Sequence, residues 1–381
     1  MTPSTLFYLL ITIVIIVFVI DTLLDILNAR HFNNKIPSEV DDVYPEDEYQ
    51  KSIAYKKANY KFKLVSSTIS LALMLLFFFL DGFALVDNYA RSISDNPIVV
   101  GLLFFGIIMI GSDILSTPAS YYRTFVIEEK FGFNKTTIAT FFSDKIKSFI
   151  VMIIVGGALL SLIIWFYELT GKNFWIYAWV LISLFTMAMN MFYAKLIVPL
   201  FNKQTPLEAG DLRNTIESYS KKVGFQLKDI YIIDGSKRST KANAYFSGFG
   251  SEKRITLYDT LLNDLNNEEI IAVLAHEVGH YKKKHIITNL ILSVILTGIT
   301  LWFLSLFISN PLLSEALGVS QPSFHVGLVA FGILYSPISE ITGLIMNFVS
   351  RKFEYQADNY ASETYDGEAL VSSLKKLSKK N

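Results

Sequence analysis

The sequence predicts an α-helical polytopic membrane protein with seven transmembrane helices and one small α+β domain. Three observations carry that expectation: composition, the spacing of apolar stretches, and a single long polar connection. Of 381 residues, 52% are apolar and 14% aromatic, with a mean hydropathy of +0.40. That exceeds what a water-exposed surface tolerates. The 34 basic and 34 acidic residues cancel, so nothing global points to a nucleic-acid partner.

The apolar stretches fall at residues 6–27, 64–86, 97–115, 149–166, 174–198, 286–308 and 324–349. Each approaches the roughly 20 residues needed to cross about 30 Å of hydrocarbon. The first reads as a retained helix, since no basic flank precedes it and no small-residue cleavage site follows it. Basic residues between the stretches alternate. Arg30, Lys35, Lys51, Lys56, Lys57, Lys61 and Lys63 follow the first, and Arg123, Lys130, Lys135, Lys145 and Lys147 follow the third. Only Arg91 follows the second, only Lys172 the fourth, and none the sixth. Positive loops stay in the cytoplasm. The N-terminus is therefore expected outside and the C-terminus inside. Residues 1–200 would hold spans one to five, residues 286–349 spans six and seven, and residues 350–381 a cytoplasmic C-terminal segment.

The long connection, 201–285, reads as the α+β domain. Residues 207–223 have helical periodicity with Gly224 as a stop. Strand patterns follow at 230–233, 242–246 and 254–258, with Asp234-Gly235 and Gly248 to Gly250 as turns. A new helix starts near Asn266, where Glu269 three residues on completes a capping box. The acidic stretch 39–48 reads as solvated surface.

On that last helix lies His276-Glu277-Val278-Gly279-His280. Histidines four apart share a helix face, so both imidazoles can bind one Zn²⁺ while Glu277 reaches a water beside it. The chain has no cysteine, which leaves histidine and carboxylate as the strong zinc ligands. Glu354 is the best third ligand. It lies in Arg351-Lys352-Phe353-Glu354-Tyr355-Gln356-Ala357-Asp358, just past the seventh stretch, and antiparallel neighbours return both sites to one membrane face. Asp358, one turn on, suits the outer N–H of a ligating histidine. Two histidines and one glutamate leave a fourth position open, as in a catalytic zinc site with one ion per chain. Glu277 would accept the water's proton and pass it to the leaving amine. Tyr245, His285 and Arg351 are candidates for oxyanion stabilisation. His285, nine residues after His276, lies roughly half a helical circumference away and reads as interfacial rather than as a ligand. His325, at the outer end of the seventh stretch, reads as structural.

The resemblance extends beyond this motif. Phe125-Val126-Ile127-Glu128-Glu129-Lys130-Phe131-Gly132-Phe133-Asn134-Lys135-Thr136, Pro199-Leu200-Phe201-Asn202, Asp234-Gly235-Ser236-Lys237-Arg238-Ser239, Asn243-Ala244-Tyr245-Phe246 and Phe353-Glu354-Tyr355-Gln356-Ala357-Asp358 occur in order. Over nearly its whole length the chain resembles the integral-membrane CaaX prenyl protease type 1 family, gluzincin-like zinc metalloproteases. The resemblance implies a ring of seven tilted helices around a water-filled chamber, with zinc on the cytoplasmic side. Asp113 and Glu340 would face that wet interior. It also implies that residues 243–246 form an edge strand for an extended substrate, with Asn243 and Ala244 making backbone contacts and Tyr245 beside them. Family members usually continue into a Ser-His-Pro-Pro region whose histidine assists at the oxyanion; these 381 residues do not include it.

The expected function is a membrane zinc endopeptidase cutting prenylated CaaX-type or other membrane-associated peptides. Its partners would be a peptide or protein substrate and membrane lipid. The compact chain without an evident retrieval signal favours a bacterial cytoplasmic membrane, with the endoplasmic reticulum as the alternative. Competing readings are a membrane-protein quality-control metalloprotease and, from another class, a chamber-forming scaffold or transporter. An intramembrane site-2-type protease fits poorly, because the motif precedes Lys282, Lys283 and Lys284 rather than lying within a span.

Overall fold

The structure, a computed structural model, describes residues 1–32, 36, 45–247 and 253–380. Lys35, the first part of the acidic stretch 39–48, and the turn at Gly248 to Gly250 lie outside the described residues. Helix α1 (Pro3–Ala29) is capped by Thr2, whose hydroxyl accepts from the Thr5 N–H. Helix α2 (Glu46–Phe79) and helix α3 (Gly82–Ile93) replace the single span expected at 64–86. The break falls at Asp81, with φ of 50°, a left-handed conformation that Asp tolerates better than most residues. Gly82 then lets the Phe77 ring lie against the backbone, where a Cβ would collide with the ring.

Helix α4 (Pro97–Tyr122) starts at Asn96, whose side chain accepts from the N–H groups of Ile98 and Val99. It continues through a π-helical turn, Arg123–Glu128, into α5 (Glu129–Phe131), well past the expected end at 115. Next come α6 (Ile138–Val151), a second π-helical turn (Met152–Gly156), α7 (Gly157–Thr170), a 3₁₀ turn (Gly171–Asn173), α8 (Phe174–Leu196) and α9 (Val198–Phe201). Helices α7 and α8 pack against each other on either side of the 3₁₀ turn. By length and composition, six segments among the described residues could cross a membrane, and Ile138–Phe201, with 64 residues, counts as one of them. That run contains both the fourth and the fifth expected spans.

The sheet domain holds β1 (Gln204–Pro206), α10 (Asp211–Lys222), β2 (Asp229–Ile233), β3 (Ala244–Ser247), β4 (Arg254–Tyr258), α11 (Asp259–Asp264) and α12 (Asn267–Lys282). Strand β1 lies just before the helix expected at 207–223, and that helix begins at Asp211 rather than at 207. Pro206 lacks an N–H and is tolerated on an edge strand. Gly224, with φ of 60°, ends this unit as expected. The order is β1-β2-β4-β3: β2 and β4 are parallel, and both outer pairs are antiparallel. Among the described residues, strand β3 therefore has a free edge. It begins at 244 rather than 242, although Asn243 stays in register, its carbonyl accepting from Tyr258 N–H at 3.0 Å.

One face of the sheet and α12 enclose the domain core, which includes Ile216, Ile230, Ile255, Leu257, Leu261, Ile270, Ile271 and Val278. Each fully buried Ile or Leu contributes roughly 1.5–3 kcal/mol relative to exposure. The domain is also bolted to the membrane helices. Arg238 donates two bonds to Asp144 of α6, at 2.7 and 3.0 Å, and one to Phe201 O at 2.7 Å. Beside it, Asn134 bridges Ser239, Lys135 N–H donates to Arg238 O, and Thr240 N–H donates to Phe133 O.

The chain returns to the membrane through α13 (His285–Phe307), α14 (Pro311–Glu315) and α15 (Phe324–Thr364), and ends in α16 (Gly367–Lys380). Helix α13 is held to α8 by Trp179, whose ring lies over Gly298 and whose indole N–H donates to Val294 O at 2.8 Å. At the far end of the helices, His325 and Asp87 form a buried pair at 2.6 Å, with Arg91 on the other Asp87 oxygen at 2.8 Å. That is a structural role for His325. Asp113 pairs with Lys145 at 2.6 Å. Large apolar side chains on α15, including Leu344 and Phe348 (73% exposed), are uncovered by the rest of the chain.

Helix α15 is one rod of 41 residues, about 60 Å at 1.5 Å per residue. That is roughly twice the hydrocarbon thickness. Its second half continues past the span and packs against α12. The contact is close because Gly279 faces Ala357: a Cβ on Gly279 would lie 3.1 Å from both the Cα and the carbonyl oxygen of Ala357. Gly279→Ala should push these backbones apart by a few tenths of an ångström, lowering stability by about 1–3 kcal/mol in thermal or denaturant unfolding. Wild-type stability with unchanged metal content in that variant would contradict this packing.

Helix α16 docks on α12 through Glu269, which is 3% exposed and accepts from Ser372 (2.7 Å), Lys376 (2.8 Å) and Asn266 N–H (3.0 Å). Burial alone would push this carboxyl up, but the Lys376, Ser372 and Asn266 donors together hold it below its usual 4.5. Its stabilisation is therefore present at neutral pH and is lost as pH falls through the depressed value, below about 4.5. Hydrogen exchange in α16 should accelerate in that acid range. In Glu269→Gln it should already be faster at pH 7, reflecting a loss of about 1.5–3 kcal/mol.

Candidate active site

Helix α12 starts as the sequence predicts. Asn266 Oδ1 accepts from Glu269 N–H at 2.9 Å, and the Glu269 carboxylate accepts from Asn266 N–H, a complete capping box. This fixed start sets the rotation of the two final turns, which carry His276, Glu277 and His280. The helix stops where Lys284 adopts φ of 62°, and His285 opens α13 in a new direction.

Opposite these turns, α15 presents Glu354, Gln356 and Asp358. His276 Nε2, His280 Nε2 and Glu354 Oε2 converge: the nitrogens are 3.1 Å apart, and the oxygen lies 3.3 Å from the first and 3.6 Å from the second. Among the described residues this is the one three-membered group of such side chains able to hold a metal ion. The spacing tests the fit. Zinc bonds of about 2.0–2.1 Å in a tetrahedron place ligand atoms roughly 3.3–3.4 Å apart. The three edges bracket that value, and two imidazoles with one carboxylate form a donor set suited to zinc. The residues therefore fit the ion.

His276 is oriented from behind, with Nδ1 2.8 Å from Asp358 Oδ1. A carboxylate there accepts the outer N–H and keeps the Nε2 lone pair directed at the cluster. Burial and the neighbouring His276 favour neutral His280, the form that can ligate. Glu277, on the same helix, takes no part in the three-atom group. Burial pushes its carboxyl up to about 7, opposed by His276 and reinforced by Glu354. That value is near the range in which a carboxylate both accepts and returns a proton at neutral pH.

The other candidates lie at different distances from the chemistry. His285 is buried, stacks on Phe353 with centroids 4.1 Å apart, and has both ring nitrogens engaged, one by His280 and one by Gln356. It cannot also donate to a substrate oxygen, so its place is structural rather than at an oxyanion. Arg351 is exposed about one turn before Glu354. The Tyr245 ring packs with Tyr258, Ala194, Val198 and Ile233, away from the α12 core, so the cluster and this phenol are not brought together. On β3, alternation turns the backbone of Asn243 and Tyr245 toward β4 and that of Ala244 and Phe246 toward the free edge. The Asn243 side chain accepts from Ala244 N–H at 2.8 Å and so covers one of those edge donors. Sequence reasoning missed Gln356, which no metal-site spacing marks, and Gly279, a variable position of the motif whose importance comes from a helix 78 residues away.

Comparison with known proteins agrees with this geometry. Residues 25–203 match a family model described as "CAAX prenyl protease N-terminal, five membrane helices", and residues 206–379 match Peptidase family M48. A CAAX prenyl protease 1 homolog of Dictyostelium discoideum is 39% identical over 338 residues, covering 86% of this chain and 79% of the relative. CAAX prenyl protease 1 of Saccharomyces cerevisiae is 34% identical over 373 residues, covering 91% and 82% respectively. The crystal structure of S. mikatae Ste24p superposes with a TM-score of 0.94 at 32% identity, covering 99% of this chain and 92% of that one. With the membrane helices, the sheet domain and the histidine motif all accounted for, the chain belongs to the CAAX prenyl protease group of peptidase family M48 and is a membrane metalloendopeptidase.

Proposed function

We propose that this enzyme removes the C-terminal residues of prenylated CaaX-type proteins at a single zinc centre formed by His276, His280 and Glu354. The convergence of three donor atoms at 3.1, 3.3 and 3.6 Å is the observation that carries the reading. The names of the relatives support the substrate class.

A bound zinc ion would act as Lewis acid toward the scissile carbonyl and lower the pKa of the attacking water. Glu277 takes the proton of that water and returns it to the leaving amine. Asp358 keeps the His276 ring in its ligating orientation. The substrate lies extended on β3, pairing with Ala244 and Phe246, while the Asn243 amide swings from Ala244 N–H onto the substrate backbone. Arg351, exposed on the Glu354 side of α15, is the remaining candidate for the oxyanion.

Seven crossings around a chamber fit better than six. As a straight rod, Ile138–Phe201 would measure about 96 Å, three times the hydrocarbon thickness. Instead α7 and α8 pack together across the 3₁₀ turn, and the matching N-terminal family model is described with five membrane helices. The loop charges orient the N-terminus outside and the zinc centre at the cytoplasmic face.

Glu277→Gln should retain metal, measured by elemental analysis, while cleavage of a farnesylated CaaX peptide falls about 10²- to 10⁴-fold. Undiminished cleavage by that variant would remove Glu277 from the mechanism. Glu354→Ala should lose the metal itself. Because Glu277 works only when deprotonated, kcat/KM should rise with pH through an acidic limb. Its carboxyl sits at about 7 without a cation, and a bound cation moves that limb lower. A limb above pH 7 would assign it to another group.

A further inference from the structure

The two histidines of the cluster are supported differently from behind. His276 Nδ1 meets Asp358 directly, whereas His280 Nδ1 lies 3.1 Å from His285 Nδ1, and His285 Nε2 lies 2.8 Å from Gln356 Oε1. His285 is 2% exposed, and its ring is nearly parallel to Phe353, 9° between planes, so it has little freedom to turn. Glu354, Gln356 and Asp358 alternate along one turn of α15.

We propose that His285 and Gln356 form a positioning relay that fixes the tautomer and ring plane of His280, so that α15 orients both metal-facing histidines. This rests on the reading of His276, His280 and Glu354 as a metal centre. The proton order follows from donor and acceptor identities. A His280 that ligates through Nε2 carries its proton on Nδ1 and donates it to His285 Nδ1. His285 must then carry its own proton on Nε2, where the Gln356 carbonyl oxygen accepts it. The opposite order would put two acceptors, His285 Nε2 and Gln356 Oε1, face to face at 2.8 Å. It would also place a proton on His280 Nε2, aimed at the cluster. One order satisfies every atom.

The relay is neutral where the His276 support is anionic. His285 also begins α13, directly after the Lys284 break, so the joint between the motif helix and a membrane helix is tied to the ring of His280.

The test is metal binding by the full-length protein in detergent, using Zn²⁺ against a competing chelator and the visible absorption of Co²⁺. His285→Phe keeps a flat ring on Phe353 and removes both nitrogens, Gln356→Leu removes the acceptor, and Gln356→Glu retains one. Each of the first two should bind metal about 10- to 100-fold more weakly with an altered Co²⁺ spectrum, and Gln356→Glu should bind at least as tightly as wild type. Because the groups act in series, the double variant His285→Phe with Gln356→Leu should be no weaker than His285→Phe alone. Binding within about two-fold of wild type in Gln356→Leu, or losses that add in the double variant, overturns the relay. Should His285→Phe not fold, the Leu and Glu variants at 356 decide. A wild-type protein that binds no metal sinks the metal centre itself, whereas normal wild-type binding with unaffected variants sinks only the relay.

Discussion

The close approach of α12 and α15 is the constraint on which the rest of the site depends. A carboxylate side chain is short, so Glu354 reaches two histidines on another helix only where the backbones come unusually near. Gly279 against Ala357 permits that approach, and the buried, small Ala361 one turn on continues the same seam. The variable positions of the motif are thus not all neutral spacers. One of them is a packing surface.

The length of α15 has a second consequence. The helix that supplies Glu354 is the same one that crosses the membrane, so the candidate metal site is built between a membrane element and an element of the sheet domain rather than inside either. Holding these two bodies in register falls to contacts well away from the histidine–glutamate cluster. Arg238 grips Asp144 and the Phe201 carbonyl, and the 133–135 segment pairs its backbone with 238–240. Glu269 similarly serves two structures, completing the N-terminal cap of α12 and anchoring α16. The stretches at 125–136 and 234–239 carry the family resemblance, and the geometry shows why their residues would be retained together. They form the seam between the membrane helices and the domain that holds the edge strand.

Much of this was legible in the sequence where the signal is local. The capping box at Asn266, the stop at Gly224, strand β4 at 254–258 and the sharing of one helix face by His276 and His280 follow from spacing over a few residues. Boundaries that depend on irregular backbone were not. The expected span at 64–86 contains Asp81 and Gly82, but hydropathy averages over them and does not register a left-handed residue. Strand β1 is three residues long and ends in proline, too short for periodicity to show. Tyr245 looked like a neighbour of the chemistry because it follows Asn243 and Ala244, yet period-two alternation on β3 turns its ring to the opposite side.

By itself the sequence determined the chemistry available: an apolar chain for a membrane, two imidazoles and a carboxylate for a cation, no thiol, and a second carboxylate one turn beyond the first. These are properties of residue types and of helical spacing, which survive without knowledge of any distant contact. Only the tertiary structure decided which atoms meet. The 3.3 Å contact from His276 to Glu354 and the chain from His280 through His285 to Gln356 join residues more than seventy positions apart. Such pairings depend on how two helices cross and rotate, and crossing and rotation are set by packing across the whole interface rather than by any local run of residues.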